Sequence, residues 1–207
     1  MDNKKIIHYK FVLLGDSNTG KTSICMRYVN KRFEQIFQST IGCSFMGKVI
    51  EVNDKKYSLD IWDTAGQERY RALLPMYYRS ADIALICIDL TTNEYNEEIE
   101  YWKKELGKYC DKINRKIFIV GTKSDMITPN EYESFKKNIE TYYPQFKFFI
   151  TSSKENVGIN EIFEFGVQKC IDATKITNIK KDKEILDIVI NNGDENYWGV
   201  LEYCNIL

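Results

Sequence analysis

Residues 15–22, GDSNTGKT, constrain this chain more than any other stretch. They fit G-x-x-x-x-G-K-[ST]. They follow the apolar run Phe11-Val12-Leu13-Leu14, read as a strand, and they open a stretch of helical spacing at 21–30. Glycines there let successive backbone N–H groups turn inward, and the start of the helix adds partial positive charge. Phosphate oxygens need that density of donors. Lys21 is expected to reach the β- and γ-phosphates of a nucleotide, and the Thr22 hydroxyl to ligate Mg²⁺. Gly15, Asp16, Ser17, Asn18, Thr19, Gly20 and Ser23 complete the expected cradle. The plainer reading is an ordinary glycine-containing turn from strand to helix.

Beyond this loop, short apolar runs alternate with longer amphipathic stretches. Strands are expected at 9–14, 43–51, 56–62, 82–90, 116–121 and 146–151, and helices at 21–30, 68–79, 94–110, 130–141 and 158–174. The run IALICID is apolar almost throughout, as in a strand covered on both faces. Strands alternating with helices predict an α/β fold, a mostly parallel sheet with helices on both faces. The second and third strands are an exception, because Asn53-Asp54 between two alternating runs reads as a hairpin. The periodic pattern weakens near residue 175, which divides the chain into a domain at 1–174 and a tail at 175–207.

Three later stretches supply what a phosphate cradle lacks. In DIWDTAGQERYR, Asp63 ends a strand and offers a carboxylate to Mg²⁺. The Gly66 N–H is expected to donate to a γ-phosphate. The Gln67 amide carries a donor and an acceptor together, as orienting an attacking water requires. In FQSTIGCSF, Thr40 is expected to give its hydroxyl to Mg²⁺ and its N–H to the γ-phosphate. In IVGTKSD, the Asp125 carboxylate suits guanine N1–H and the 2-amino group, which adenine lacks, with Lys123 along the base. In ITSSKEN, the Ser153 N–H suits guanine O6, with Lys154 beside it.

Taken in order, these segments resemble the Ras superfamily of small GTPases, and most closely its Rab branch, over roughly residues 8–172. IGCSF, IWDTAGQERYR and YYRS are similar to the Rab patterns IGVDF, WDTAGQERF and YYRG. The long insertion of Rho proteins, the glycine after Met1 of Arf proteins and the acidic C-terminal run of Ran have no counterpart. The resemblance implies a P-loop G domain with a six-stranded sheet that binds GTP or GDP with Mg²⁺. It implies a switch that hydrolyses GTP to GDP and phosphate, with Thr40 and Gly66 holding two loops against the γ-phosphate. It adds Phe33 against the guanine edge, Thr122 and Ser152 to the base loops, and Phe45, Trp62 and Tyr77 to an effector-binding face, for which adjacent packing is the plainer role. Vesicle traffic is the implied process. Effector, exchange-factor and GTPase-activating proteins are the implied partners, and a monomer is expected.

Departures from the family pattern matter too. Thr122 stands where most members have an asparagine that ties the base loop to the phosphate loop; Rho-type proteins resemble this chain in having threonine, so the change is tolerable, and somewhat weaker nucleotide retention is expected. Asn18-Thr19, Ser153 and Cys43-Ser44 also differ, the last pair in the switch region. No arginine directly precedes Thr40. Unassisted hydrolysis is therefore expected to be slow, about 10⁻⁴ s⁻¹ as for Ras itself. A GTP-binding scaffold that scarcely hydrolyses is a second reading. An ATP-dependent enzyme is a third, which Asp125 disfavours.

The net charge of -1 gives no pull toward nucleic acid. No N-terminal signal or apolar span is legible, so a cytosolic chain is expected. The six cysteines form no C-x-x-C pair and read as thiols. Cys204-Asn205-Ile206-Leu207 fits a C-a-a-X box of the geranylgeranyl type, which would tether the chain to the cytosolic face of an intracellular membrane. Against that, residues 184–203 hold five acidic residues and no basic one, so a terminal cysteine with no such role is the other reading.

Overall fold

The structure, a computed structural model, describes residues 6–35, 39–92, 95–108 and 116–192, with 177–192 as backbone alone. Six strands form one sheet: β1 (Ile7–Leu14), β2 (Cys43–Val52), β3 (Lys55–Thr64), β4 (Ile83–Asp89), β5 (Lys116–Thr122) and β6 (Lys147–Ile150). Their order across the sheet is β2-β3-β1-β4-β5-β6. Only β2 and β3 pair antiparallel. Asn53 and Asp54, with φ of 52° and 59°, make the turn between them. Two successive positive φ values are the mark of the tight hairpin turn whose twist matches its strands.

All seven residues of β4 are buried, which is why IALICID carries no alternation. The remaining elements are α1 (Lys21–Asn30), a 3-10 turn (Glu68–Leu73) leading into α2 (Leu74–Tyr78), α3 (Tyr95–Lys108), a 3-10 turn (Ser124–Met126), α4 (Pro129–Tyr142) and α5 (Ile159–Asn192). On α3, Tyr95, Ile99, Trp102 and Leu106 recur at steps of four, three and four and are all buried. That stripe joins Ile86, Ile88 and Ile119 of β4 and β5 in one core. Burying each large side chain of this kind contributes about 2 kcal/mol. α4 starts at a capping box, in which the Glu131 N–H donates to the Thr128 hydroxyl and the Thr128 N–H donates to Glu131.

Two helices differ from the sequence expectation. The single helix expected at 68–79 is a 3-10 turn followed by five α-helical residues. Pro75 explains the break: it has no N–H, and its ring collides with the carbonyl of residue 71 in a continuous α-helix. The last helix continues past 174 to Asn192. No glycine or proline stands between Gly166 and Gly193, so nothing local ends it. The chain divides into two compact units, Met1–Val167 and Gln168–Leu207. No described helix is long and apolar enough to cross a membrane.

The sheet also decides where a ligand can sit. β1 has β3 on one side and β4 on the other, so strand order reverses at β1. In open parallel sheets the crevice beyond the carboxyl ends of the strands at such a point takes the ligand. Residues 15–20 occupy that point.

Candidate functional site

Gly15 leaves β1 at φ 142°, and a Cβ there would fall 2.4 Å from the Cys87 carbonyl oxygen. Any side chain would push the loop off β4. Gly20, left-handed at φ 81°, turns the chain into α1. The Lys21 side chain is buried, and its ammonium donates to the Gly15 carbonyl at 2.9 Å, the Asp16 carbonyl at 2.5 Å and Thr19 Oγ1 at 3.1 Å. Burial pushes its pKa down, which the carboxylates of Asp63, Glu98 and Asp16 only partly offset. An anion in the adjoining cleft would stabilise this charge.

The three expected metal ligands meet. Thr22 Oγ1 donates to Asp63 Oδ2 at 2.8 Å. Thr40 Oγ1 lies 3.0 Å from Thr22 Oγ1 and 3.4 Å from the same carboxylate oxygen. Asp63 is fully buried at the end of β3, and its Oδ1 has no hydrogen-bond partner among the described residues. Burial raises its pKa against the hydrogen bonds from Thr22 and Thr40. An orphaned buried carboxylate oxygen beside two hydroxyls is a donor set suited to a hard cation such as Mg²⁺.

Gly66 lies directly on the phosphate loop, where a Cβ would sit 2.3 Å from the Asp16 carbonyl carbon and 2.4 Å from the Ser17 nitrogen. Ser17, Asn18, Gly20, Lys21, Thr22, Ser23, Thr40, Gly66 and Gln67 line one open cleft. Two loop residues expected in the cradle are turned elsewhere. The Asp16 N–H donates to Glu98 of α3, and its carboxylate takes Arg71 at 2.7 Å. Thr19 Oγ1 donates to the Asp16 carbonyl at 2.9 Å. These two residues shape the loop from behind, because the peptide that faces α3 cannot also face the cleft.

At the other end, Ser152 Oγ donates to Asp125 Oδ1 at 2.6 Å and accepts the Glu155 N–H at 3.0 Å. Ser152 is buried, so it acts on Asp125 rather than lining a surface. Lys154 Nζ lies 3.9 Å from Asp125 Oδ2. Lys123, at φ 58°, extends to Asp89 Oδ2 at 2.6 Å. Burial works to raise the Asp89 carboxyl, but hydrogen bonds from Lys123 and Thr91 together hold it below its usual range. Thr122 Oγ1 lies 3.0 Å from both the Thr19 and the Ile88 carbonyl oxygens. Its single proton serves one at a time.

A model of the Ras family matches residues 10–172. The chain belongs to the Ras family. It is a small GTPase of the switch type, and guanine nucleotides and regulatory partners are the general property of its family. The six-stranded P-loop fold expected from the sequence is the fold observed.

In this Ras-family chain the threonine at 122 does what an asparagine was expected to do, since its hydroxyl reaches the phosphate loop at Thr19. Thr122→Ala leaves buried carbonyls short of a donor, a loss of about 1–2 kcal/mol. GDP release is expected to quicken roughly tenfold in that variant, read by chase of a fluorescent GDP analogue.

Phe45, Trp62 and Tyr77, expected either on an effector-binding face or in plain packing between adjacent elements, lie against one another across β2, β3 and α2. Trp62 contacts Phe45 at 5.3 Å and Tyr77 at 5.6 Å between ring centroids, and Phe45 is 55% exposed. Glu98, Arg71 and Arg27 were not legible as site residues from the sequence. Each meets a partner at least 55 residues away in sequence, and a charge on an amphipathic helix looks like a solvated face. Cys204 lies outside the described residues.

Glu98 carries a pH signature. Burial raises its carboxyl to about 7 from the usual 4.5, against the Asp16 N–H and the nearby cations. A carboxyl raised by folding binds protons that the unfolded chain releases. Its penalty is absent well below 4.5, grows as pH climbs toward about 7, and is constant above that. Glu98→Gln keeps an acceptor for the Asp16 N–H and removes the charge. Its stabilisation over wild type is expected to be larger at pH 8 than at pH 5 by about 2 kcal/mol. Unfolding of both proteins in one nucleotide state at each pH measures it.

Proposed function

We propose that this chain is a Rab-type switch of membrane traffic that binds guanine nucleotide and Mg²⁺ and hydrolyses GTP to GDP and phosphate. One observation carries the reading: Lys21, Thr22, Thr40 and Asp63 converge beside Gly66 and Gln67, at the reversal point of the sheet. Thr22, Thr40 and Asp63 would hold the Mg²⁺, which when bound would neutralise charge on the phosphates. Lys21 adds a fixed positive charge, and backbone N–H groups of residues 17–22 hold the phosphate oxygens. Gln67 orients the attacking water. Thr40 and Gly66 sense the γ-phosphate from opposite loops, so its loss releases both. Asp125, held by Ser152, selects guanine, with Ser153 at its O6, Lys123 and Lys154 beside the base and Phe33 at its edge.

The absence of an arginine next to Thr40 makes rapid hydrolysis depend on a partner that supplies one. The contiguous aromatic trio Phe45, Trp62 and Tyr77 supports an effector face of Rab type. Cys204 is the proposed lipid acceptor, placing the chain at the cytosolic face of an intracellular membrane. Capture of partners by protein loaded with a non-hydrolysable GTP analogue, compared with GDP, tests the switch. Recovery of the same proteins in both states defeats it. An unmodified C-terminus on protein from its own cells, by mass spectrometry, removes the lipid anchor.

A further inference from the structure

Arg27 stands six residues after Lys21 on α1, and its guanidinium binds the loop at the far end of the site. Nε donates to the Ser153 carbonyl at 2.6 Å and Nη2 to the Lys154 carbonyl at 3.0 Å. Nη1 reaches the carbonyl of Lys31 at 3.3 Å, the left-handed residue that ends α1. The guanidinium carbon also lies 5.8 Å from the centre of the Phe33 ring. One planar group thus joins the end of α1, the ring expected at the base edge and the two peptides that follow Ser153. A planar fork with five donors can hold two successive carbonyls in fixed orientation, and an ammonium cannot.

Ser152 is already pinned on the other side, by a two-way backbone pairing with Val157. The Ser153–Lys154 segment is therefore gripped from both ends. We infer that Arg27 is a positioning residue for base recognition, setting the Ser153–Lys154 backbone so that it donates to the purine O6. This rests on the guanine-nucleotide reading above and deepens it. α1 then serves both ends of one ligand, with Lys21 at the phosphates and Arg27 behind the base loop.

A purely structural clamp would loosen every nucleotide alike, so the test compares two. GDP carries O6, and 6-thioguanosine diphosphate replaces it with sulfur, a much weaker acceptor, while keeping the N1–H and the 2-amino group. Arg27→Ala is expected to speed GDP release by at least about tenfold and release of the 6-thioguanine nucleotide by less than about threefold. Arg27→Lys keeps charge and stem but loses the fork, and is expected to behave like Arg27→Ala. If Arg27→Ala does not fold, as judged by circular dichroism, Arg27→Lys is read against the same two criteria. Equal acceleration of both nucleotides, or unchanged GDP release, overturns the inference. Failure of the unmutated protein to bind GDP instead overturns the guanine-nucleotide reading beneath it, which separates the two.

Discussion

Gln67→Leu is expected nearly to abolish partner-assisted GTP hydrolysis while GDP and GTP bind as before. Gln67 lines the cleft at the residue just before the 3-10 turn, with extended backbone at φ −74° and ψ 138°. Its neighbour Gly66 is fixed by contact with the phosphate loop, so the Gln67 side chain leaves from an anchored point. Leucine has similar bulk but neither donor nor acceptor, and a water beside it has nothing to align it. Losing one preorganised polar group at a transition state costs about 10²–10³ in rate. Single-turnover phosphate release with an activating protein reads the loss, and nucleotide titration reads the intact affinity. A variant that hydrolyses at the wild-type rate removes Gln67 from the chemistry.

The second large effect belongs to Asp125→Asn. The carboxylate offers two acceptors to two guanine donors, and each such charge-assisted bond contributes about 1.5–3 kcal/mol. Asparagine presents an N–H₂ to one of those donors, so a hydrogen bond becomes a repulsion. Affinity for GDP is expected to fall by about 10²–10⁴. Xanthosine diphosphate, with a carbonyl in place of the 2-amino group, is expected to gain. The Ser152 hydroxyl, 2.6 Å from Asp125 Oδ1, can still donate to the asparagine oxygen and so fixes which end faces the base. Calorimetric titration with both nucleotides settles it: retention of GDP affinity, or no gain for the xanthine nucleotide, removes Asp125 from base selection.

Much of this was legible in the chain because the signals are local. The alternation around Asn53-Asp54 and the apolar run of β4 report burial directly, and the strands fall within a few residues of expectation. The phosphate loop is legible because its glycines answer to steric demands within a single turn. What the loop motif leaves open is which peptide faces inward. Asp16 turns outward because Glu98 and Arg71 hold it, one from 82 residues away in sequence and the other from 55. Arg27 meets Ser153 across 126 residues, and no periodicity encodes that. The break at Pro75 was written in the sequence, and the amphipathic spacing on either side of it masked it. At Thr122 the tether to the phosphate loop was not legible, because asparagine is the commoner residue there; a shorter hydroxyl side chain reaches the same loop.

The loops after β1, β3, β5 and β6 hang from separate strands, of which β1 and β3 are direct neighbours and β5 and β6 form the other pair. A molecule grasped by all four would act as a brace between strands that the ladder joins only through β4. Its occupancy would then enter the folding equilibrium itself, adding about 1.4 kcal/mol for each tenfold excess of free nucleotide over its dissociation constant. Exchange would have to pass through the unbraced protein, the least stable species on the route. An exchange partner therefore has to do more than open a gate: it must chaperone a fold that has lost its crosspiece.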